Sequence, residues 1–413
     1  MTRRLQLGVA LDGAGWHPSA WRDDDARPSA LFDGRYWAAL ARTAEDAGID
    51  LLTIEDQFGL QTPIFEDVDP TVTDQVRGQL DAVLLANWLA PLTTRIGLIP
   101  TASTTHTEPF HVSTAIATLD FASAGRAGWR PVASAKPHEA ALLGRRTFAP
   151  LRREDLVSGE LPAAVIERFD EADDAIEVVR RLWDSWEDDA VIRDAATGRY
   201  IDRDRLHYID FEGRFFRVKG PSIVPRPPQG QPVVAVLAHS TVPYRLAARQ
   251  ADVVFVTPHD DEGVSDIVAQ VRGEEAAAGR TETPLKIWTD IVVLLEDDES
   301  TAWRELGRLD ELVGRPFTSD ALVFAGTATE LVRRIEAWGR LGIDGIRLRP
   351  ARLPKDLDRI AAQVVPELVD AGLRSPVDEG ASTLRERLGL PVAPNRYATA
   401  LPTINEHTRS VAS

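Results

Sequence analysis

Residues able to do chemistry cluster just behind short apolar runs. Asp12, Trp16 and His17 follow the run at 5–11. Glu55-Asp56-Gln57 follows 51–54, and Thr101-Ala102-Ser103-Thr104-Thr105-His106 follows 95–101. Arg130 and Ser134 close a fourth run, His239-Ser240-Thr241 a fifth, and Thr257-Pro258-His259 a sixth. These positions are rich in hydroxyls and imidazoles and poor in facing carboxylates. Glycoside hydrolysis needs two opposed acids, and Glu55 and Asp56 are strand neighbours that point apart. His17, His106, His239 and His259 show neither H-x-H nor HExxH spacing, so no metal site is expected. Ser240-Thr241 opens a helical pattern. A hydroxyl pair there is either a plain N-cap or an anion cradle, where free backbone N–H groups and the helix dipole face a ligand.

The elements that must carry these residues alternate. β-branched runs at 5–11, 51–54, 95–101, 127–134, 233–237, 253–256, 286–295 and 346–348 predict about eight strands. Amphipathic patterns at 33–47, 72–89, 109–123, 168–186, 328–341 and towards 366–371 predict helices between them. Gly48 and Pro91 end two of these helices, and Pro109 suits a first turn. HYIDFEGRFFRVKG (207–220) predicts a hairpin. A βαβα order gives a parallel sheet, either a (β/α)₈ barrel with loop insertions or a doubly wound open sheet. The first strand runs into LDGAGWHP, which lacks the G-x-G-x-x-G of a dinucleotide fold, so the barrel is preferred. In a barrel the strand ends above share one rim.

Composition narrows the classes. The 413 residues carry a formal charge of −17, which argues against a nucleic-acid partner. There is no cysteine, which excludes disulfides, thiolate metal sites and thiol nucleophiles. The first residues read as a strand rather than a signal peptide, and no run of 18 apolar residues predicts a membrane span; the cytoplasm is the expected address. The barrel is expected over 1–372, with insertions near 12–32, 57–75, 135–165 and 187–231. A C-terminal extension at 373–413 is expected to pack on the barrel or on a neighbouring subunit.

Five segments in order then resemble a known family: TASTTHTEPFHVSTAIATLDFASAGRAGW (101–129), RFDEADDAIEVVRRLWDSWEDDAVIRDAATGRYID (168–202), GRFFRVKGPSIVPRPPQGQPVVAV (213–236), HSTVPYRLAARQADVVF (239–255) and TLRERLGLPVAPNRYA (383–398). The chain resembles the bacterial luciferase-like FMN-dependent monooxygenases, in the branch of nitrilotriacetate, EDTA and dibenzothiophene-sulfone monooxygenases. The resemblance implies a TIM barrel and FMN, taken as FMNH₂ from a separate flavin reductase. With O₂ it would oxidise a small organic substrate by way of a C4a-(hydro)peroxyflavin. It also implies a homodimer or homotetramer. The alternatives are a deazaflavin-dependent hydride-transfer enzyme on the same barrel, or a non-catalytic flavin-binding paralogue.

Carried over residue by residue, the resemblance puts Asp56, Ser103, Thr104, Arg130, Ser134, Arg168, Phe169, Ser240 and Thr241 at the cofactor. Departures stand beside them. Arg130 and Val132-Ala133-Ser134 replace the family's asparagine and Val-Thr-Ser. Phe169 stands for a phosphate-binding tyrosine, Val165 for a histidine, and Val236-Leu237-Ala238-His239 for Gln-Ala-Gly-Ser. Each change removes a polar flavin contact. Arg130 and Arg168, with Arg145 and Arg146 as further candidates, are expected to supply charge in their place, since a guanidinium grips phosphate bidentately. His106 and His17 are the candidate acid–base residues. Trp16, Trp21, Phe32, Phe58 and Phe65 are expected to make an apolar lid, and Trp129 to pack beneath the rim.

Overall fold

The computed structural model describes residues 4–61, 71–150, 161–375 and 383–398. In chain order the elements are β1 (Gln6–Leu11), α1 (Gly34–Asp46), β2 (Leu51–Ile54), α2 (Ala82–Leu89), β3 (Gly97–Ser103), α3 (Pro109–Ala122), β4 (Gly128–Val132), α4 (Pro137–Leu143) and α5 (Ala163–Asp184). Then come β5 (Phe211–Glu212), β6 (Arg217–Val218), β7 (Val233–Leu237), α6 (Thr241–Gln250), β8 (Val253–Val256), α7 (Asp261–Ala277), β9 (Lys286–Leu295), α8 (Glu299–Val313), β10 (Leu322–Gly326), α9 (Ala328–Arg340) and β11 (Gly345–Pro350). β5 and β6 form the expected antiparallel hairpin.

Strands β1, β2, β3, β4, β7, β8, β9 and β11 pair in parallel in that order, and β11 pairs back onto β1. This is a closed (β/α)₈ barrel, as the alternation of patterns predicts, and the open-sheet alternative is excluded. A ninth parallel strand was not foreseen. β9 pairs with β8 over its first residues, Lys286–Thr289, then takes β10 as neighbour over Ile291–Leu295. The barrel therefore splays at the top between β8 and β9, and the segment leading into β10 is brought to the rim.

Successive strand residues point to opposite sides, so parity decides which face the interior. The lower interior is apolar: Leu51, Ile99, Val233, Ala235, Val253, Phe255 and Trp288 pack together. Gly345 makes room for the indole, since a Cβ there would lie 2.5 Å from Trp288. Leu384, Leu388 and Leu390 join the same cluster from beyond the last barrel helix and seal the bottom. Outward-facing strand residues pack against the helix ring, Trp129 among them.

The helix expected over 72–89 starts only at Ala82. Gly78 sits at φ +89°, its amide N–H donates to the Gln61 side chain at 2.9 Å, and Asp81 caps α2 by accepting from Leu84 N–H. A left-handed glycine followed by a capping aspartate stops the helix from extending back. No helix among the described residues is long and apolar enough to cross a membrane.

Candidate active site

Above the apolar plug, the inward-facing positions change character. Continuing the parity of β1, β2, β4, β9 and β11 gives Asp12, Glu55, Arg130, Asp290, and Arg347 with Arg349. All of them except Asp12 are joined in one chain of charge. Glu55 accepts from Arg130 and, at 3.3 Å, from Arg347. Asp290, fully buried, bridges Arg347 and Arg349, whose Nε atoms donate at 2.8 and 2.9 Å. Arg349 also donates to Asp320 at 2.6 Å, and Asp320 lies 3.6 Å from His239 Nε2. Hydroxyls of Thr101 and Thr53 accept from Arg130 (3.0 Å) and Arg347 (3.1 Å). The rings of Phe255 and Trp16 lie 4.1 and 4.5 Å from the Arg347 and Arg349 guanidiniums.

Three carboxylates (Glu55, Asp290, Asp320) thus face three guanidiniums (Arg130, Arg347, Arg349). Buried charge is tolerable only when paired in this way. Burial alone would raise the carboxyl of Asp290, but Arg347 and Arg349 outweigh it and hold it below its usual range. Burial lowers Arg130, partly offset by Glu55.

A cavity of about 570 Å³ opens on this layer at the C-terminal rim, a size typical of small-molecule sites. Asp12, Glu55, Arg130, Arg349, Asp320 and His239 form its charged wall. Phe58 and Leu84, with Val112 and Ile116 of α3, form an apolar one. Trp16 also lines it, and its indole N–H is buried without a partner among the described residues.

The structure brings four of the expected cofactor residues to this cavity: Asp56, Ser103, Arg130 and Ser134. Both Asp56 oxygens are already engaged, one by Gln79 (2.6 Å) and one by the Ala82 amide at the start of α2 (2.9 Å). Burial pushes Asp56 up to about 6 even so. Ser103 accepts the amides of Thr105 and His106 (3.2 Å each), which shapes the turn after β3. Ser134 donates to Glu139. Ser240 and Thr241 form the turn directly after the lining residue His239. Ser240 is the N-cap of α6, yet its side chain makes no capping bond.

Other expected residues stand back from the cavity wall. Thr104 is buried and bonds to the Val132 carbonyl at 3.2 Å. On α5, Arg168 pairs with Glu167 and Glu171 and lies over Phe148, while Phe169 packs against the core. Arg146 is held bidentately by Glu171, and Arg145 reaches Glu108 at the surface. His106 sits between Phe58 and Phe148; burial lowers its imidazole, and Nε2 is buried without a partner among the described residues. His17 is buried and faces Asp310 of α8 at 3.1 Å. Of the expected lid, Trp16 and Phe58 line the cavity and Phe32 is exposed. Trp21 bonds the Asp74 carbonyl, and Phe65 lies outside the described residues.

The layer of Asp290, Asp320, Arg347 and Arg349 was missed. Its signal lay in GIRLRP (345–350), two arginines at alternate positions of an otherwise buried strand.

Fold and cavity together define a (β/α)₈-barrel enzyme that acts on a small molecule at its C-terminal rim. The model of the luciferase-like monooxygenase family matches residues 14–348, and the chain belongs to that family. It is 30% identical to nitrilotriacetate monooxygenase component A of Aminobacter aminovorans, over 96% of this chain and 98% of that protein. It is also 30% identical to dibenzothiophene-sulfone monooxygenase of Rhodococcus erythropolis, over 95% and 98%. Among solved structures, EDTA monooxygenase from Chelativorans sp. BNC1 superposes with a TM-score of 0.78 at 26% identity, over 94% of this chain and 99% of that one. An F420-dependent secondary alcohol dehydrogenase shares the fold at 15% identity and a TM-score of 0.61. The chain is a monooxygenase of the nitrilotriacetate and sulfone branch, not a deazaflavin hydride-transfer enzyme.

Proposed function

We propose that the chain binds FMN in this cavity, receives it reduced from a separate flavin reductase, and uses O₂ to oxygenate a small organic substrate. The observation that carries the reading is the start of α6, directly after the lining residue His239, where Ser240 holds a hydroxyl unspent on capping and Thr241 and Val242 are the first-turn residues ahead of Pro243 whose N–H groups the helix does not use. Free N–H groups, a helix dipole and a hydroxyl suit a phosphate. The buried indole N–H of Trp16 supports the same reading, because it finds no acceptor among the described residues and a ligand could supply one. The word "component" in the name of the nitrilotriacetate relative supports a second protein as reductant source.

Bound reduced flavin would supply the electrons that activate O₂. The chain's own residues do the rest. Ser240 and Thr241 would hold the phosphate end. Ser103, Asp56 and Ser134 would border the ring, with Arg130, held by Glu55 and Thr101, on the same wall. Phe58 and Leu84 line the apolar side of the cavity, which would disfavour water near the reacting atoms.

The test is a binding titration with FMN, riboflavin and a deazaflavin. FMN is expected to bind more tightly than riboflavin. Ser240→Ala should remove about tenfold of FMN affinity, the worth of one hydrogen bond to a charged group at roughly 1.5 kcal/mol, and leave riboflavin unchanged. Equal affinity for FMN and riboflavin in the wild-type protein overturns the phosphate site. Oxygen uptake with a reductase, against a sulfone and an aminocarboxylate, then tests the reaction.

A further inference from the structure

We propose that Asp12 is a catalytic acid of the oxygenation, donating a proton to the oxygen atom that leaves as water. The proposal rests on the flavin reading above. Strand β1 points Gly8, Ala10 and then Asp12 into the barrel, and Asp12 is the position at which the strand reaches the cavity. Every other carboxylate of the central charge layer is spent: Glu55 on Arg130 and Arg347, Asp290 on Arg347 and Arg349, Asp320 on Arg349. The Asp12 carboxyl, by contrast, takes no hydrogen bond from any described residue, although it lines the same wall. A carboxyl group at a cavity without a protein partner is free to bond what enters.

The groups around Asp12 oppose one another. Burial and the charges of Glu55 and Asp56 favour its neutral form; Arg130 and Arg349 favour the anion. His239 and Asp320 lie farther along the wall. The balance pushes Asp12 up to about 7, so the acid form is present at neutrality and the anion, once formed, has two guanidiniums beside it. That is the condition for an efficient proton donor.

The overall reaction is substrate + O₂ + FMNH₂ → oxygenated substrate + H₂O + FMN, closed in electrons and protons. One oxygen atom bonds to the substrate as the O–O bond breaks. The other must take up a proton as it departs. Asp12 gives that proton, becomes carboxylate, and is reprotonated by one of the two protons that FMNH₂ gives up on becoming FMN, the other being the water's second hydrogen.

Three measurements on the full chain test this. In the flavin-free protein, difference infrared spectra should show a protonated-carboxyl band that titrates near pH 7 and is absent in Asp12→Asn. With reduced FMN and substrate, the wild-type oxygenation rate should fall as pH rises through about 7. Asp12→Asn should lose that pH limb and roughly a hundredfold or more in rate, while binding FMN as the wild type does. If Asp12→Asn binds FMN normally and keeps the wild-type rate and pH profile, the proposal is overturned and the flavin reading stands. If the infrared band survives the substitution, the titrating group is not Asp12 and the proposal fails. If wild-type protein takes up no FMN, both readings fall.

Discussion

Asp290→Asn probes the buried charge layer most sharply. Asp290 and both its partners, Arg347 and Arg349, are essentially inaccessible to water. The substitution keeps volume but removes the carboxylate that Arg347 and Arg349 share, and it turns an amide N–H₂ towards donors. Arg347 keeps only a 3.3 Å contact with Glu55, which Arg130 already occupies; Arg349 keeps Asp320. Breaking a buried pair by deleting one partner costs roughly 3–5 kcal/mol, because the remaining charge is left uncompensated. Unfolding entropy of about 2.1 cal/mol/K per residue gives roughly 0.9 kcal/mol/K for a chain this long, so Tm should fall by roughly 3–6 °C in calorimetry. The acid limb should also change. The Asp290 carboxyl is depressed in the folded chain, so its contribution is present above the unfolded value near 4 and is lost as pH falls through the lower folded value. Asp290→Asn should lack that share of acid sensitivity. Coupling gives a further check: Arg347→Met should cost clearly less when combined with Asp290→Asn than when made alone in the wild type. A Tm within a degree of wild type, or strictly additive costs, would refute the claim that this layer is one electrostatic unit.

The barrel strands were legible because parallel strands buried on both faces read as apolar runs, and each of the eight predicted runs became a barrel strand. β10 was not, since LVFAG is short and runs straight into the α9 pattern. The helix expected from 72 was misread because Val72, Val76, Leu80 and Val83 keep a helical spacing. What stops it is Gly78, held at positive φ, and a cap at Asp81, which apolar periodicity does not register. The site divides the same way. Strand ends named Asp56, Ser103, Arg130 and Ser134, which do converge on one cavity. They could not say that Arg130 spends its charge on Glu55, because that partner lies 75 residues away and is chosen by barrel register. Nor could they separate His17 from the cavity. The direction of a side chain in the loop after β1 depends on α8, nearly 300 residues on.

Leu384→Ala should cost roughly 2–5 kcal/mol by emptying the seal under the barrel, seen as a lower urea midpoint with an unchanged slope. An unshifted midpoint would mean the tail merely rests on the surface. His17→Gln separates structural from catalytic use of that imidazole. Its Nδ1 takes the Ser19 amide N–H at 3.2 Å while Nε2 faces Asp310 at 3.1 Å, an arrangement that suits the neutral ring. Burial lowers its affinity for a proton, against the pull of Asp310. The folded value therefore lies below the unfolded one near 6.5, so the stability this residue confers is complete above about pH 6.5 and declines as pH falls through the folded value. Wild-type denaturant midpoints should drop over that window, and His17→Gln, which cannot titrate, should show a flatter profile. Because the ring stands outside the cavity wall, FMN affinity should be unchanged in the variant. A pH slope that survives in His17→Gln would show that another group carries it, and a large loss of FMN binding would put the imidazole back at the site.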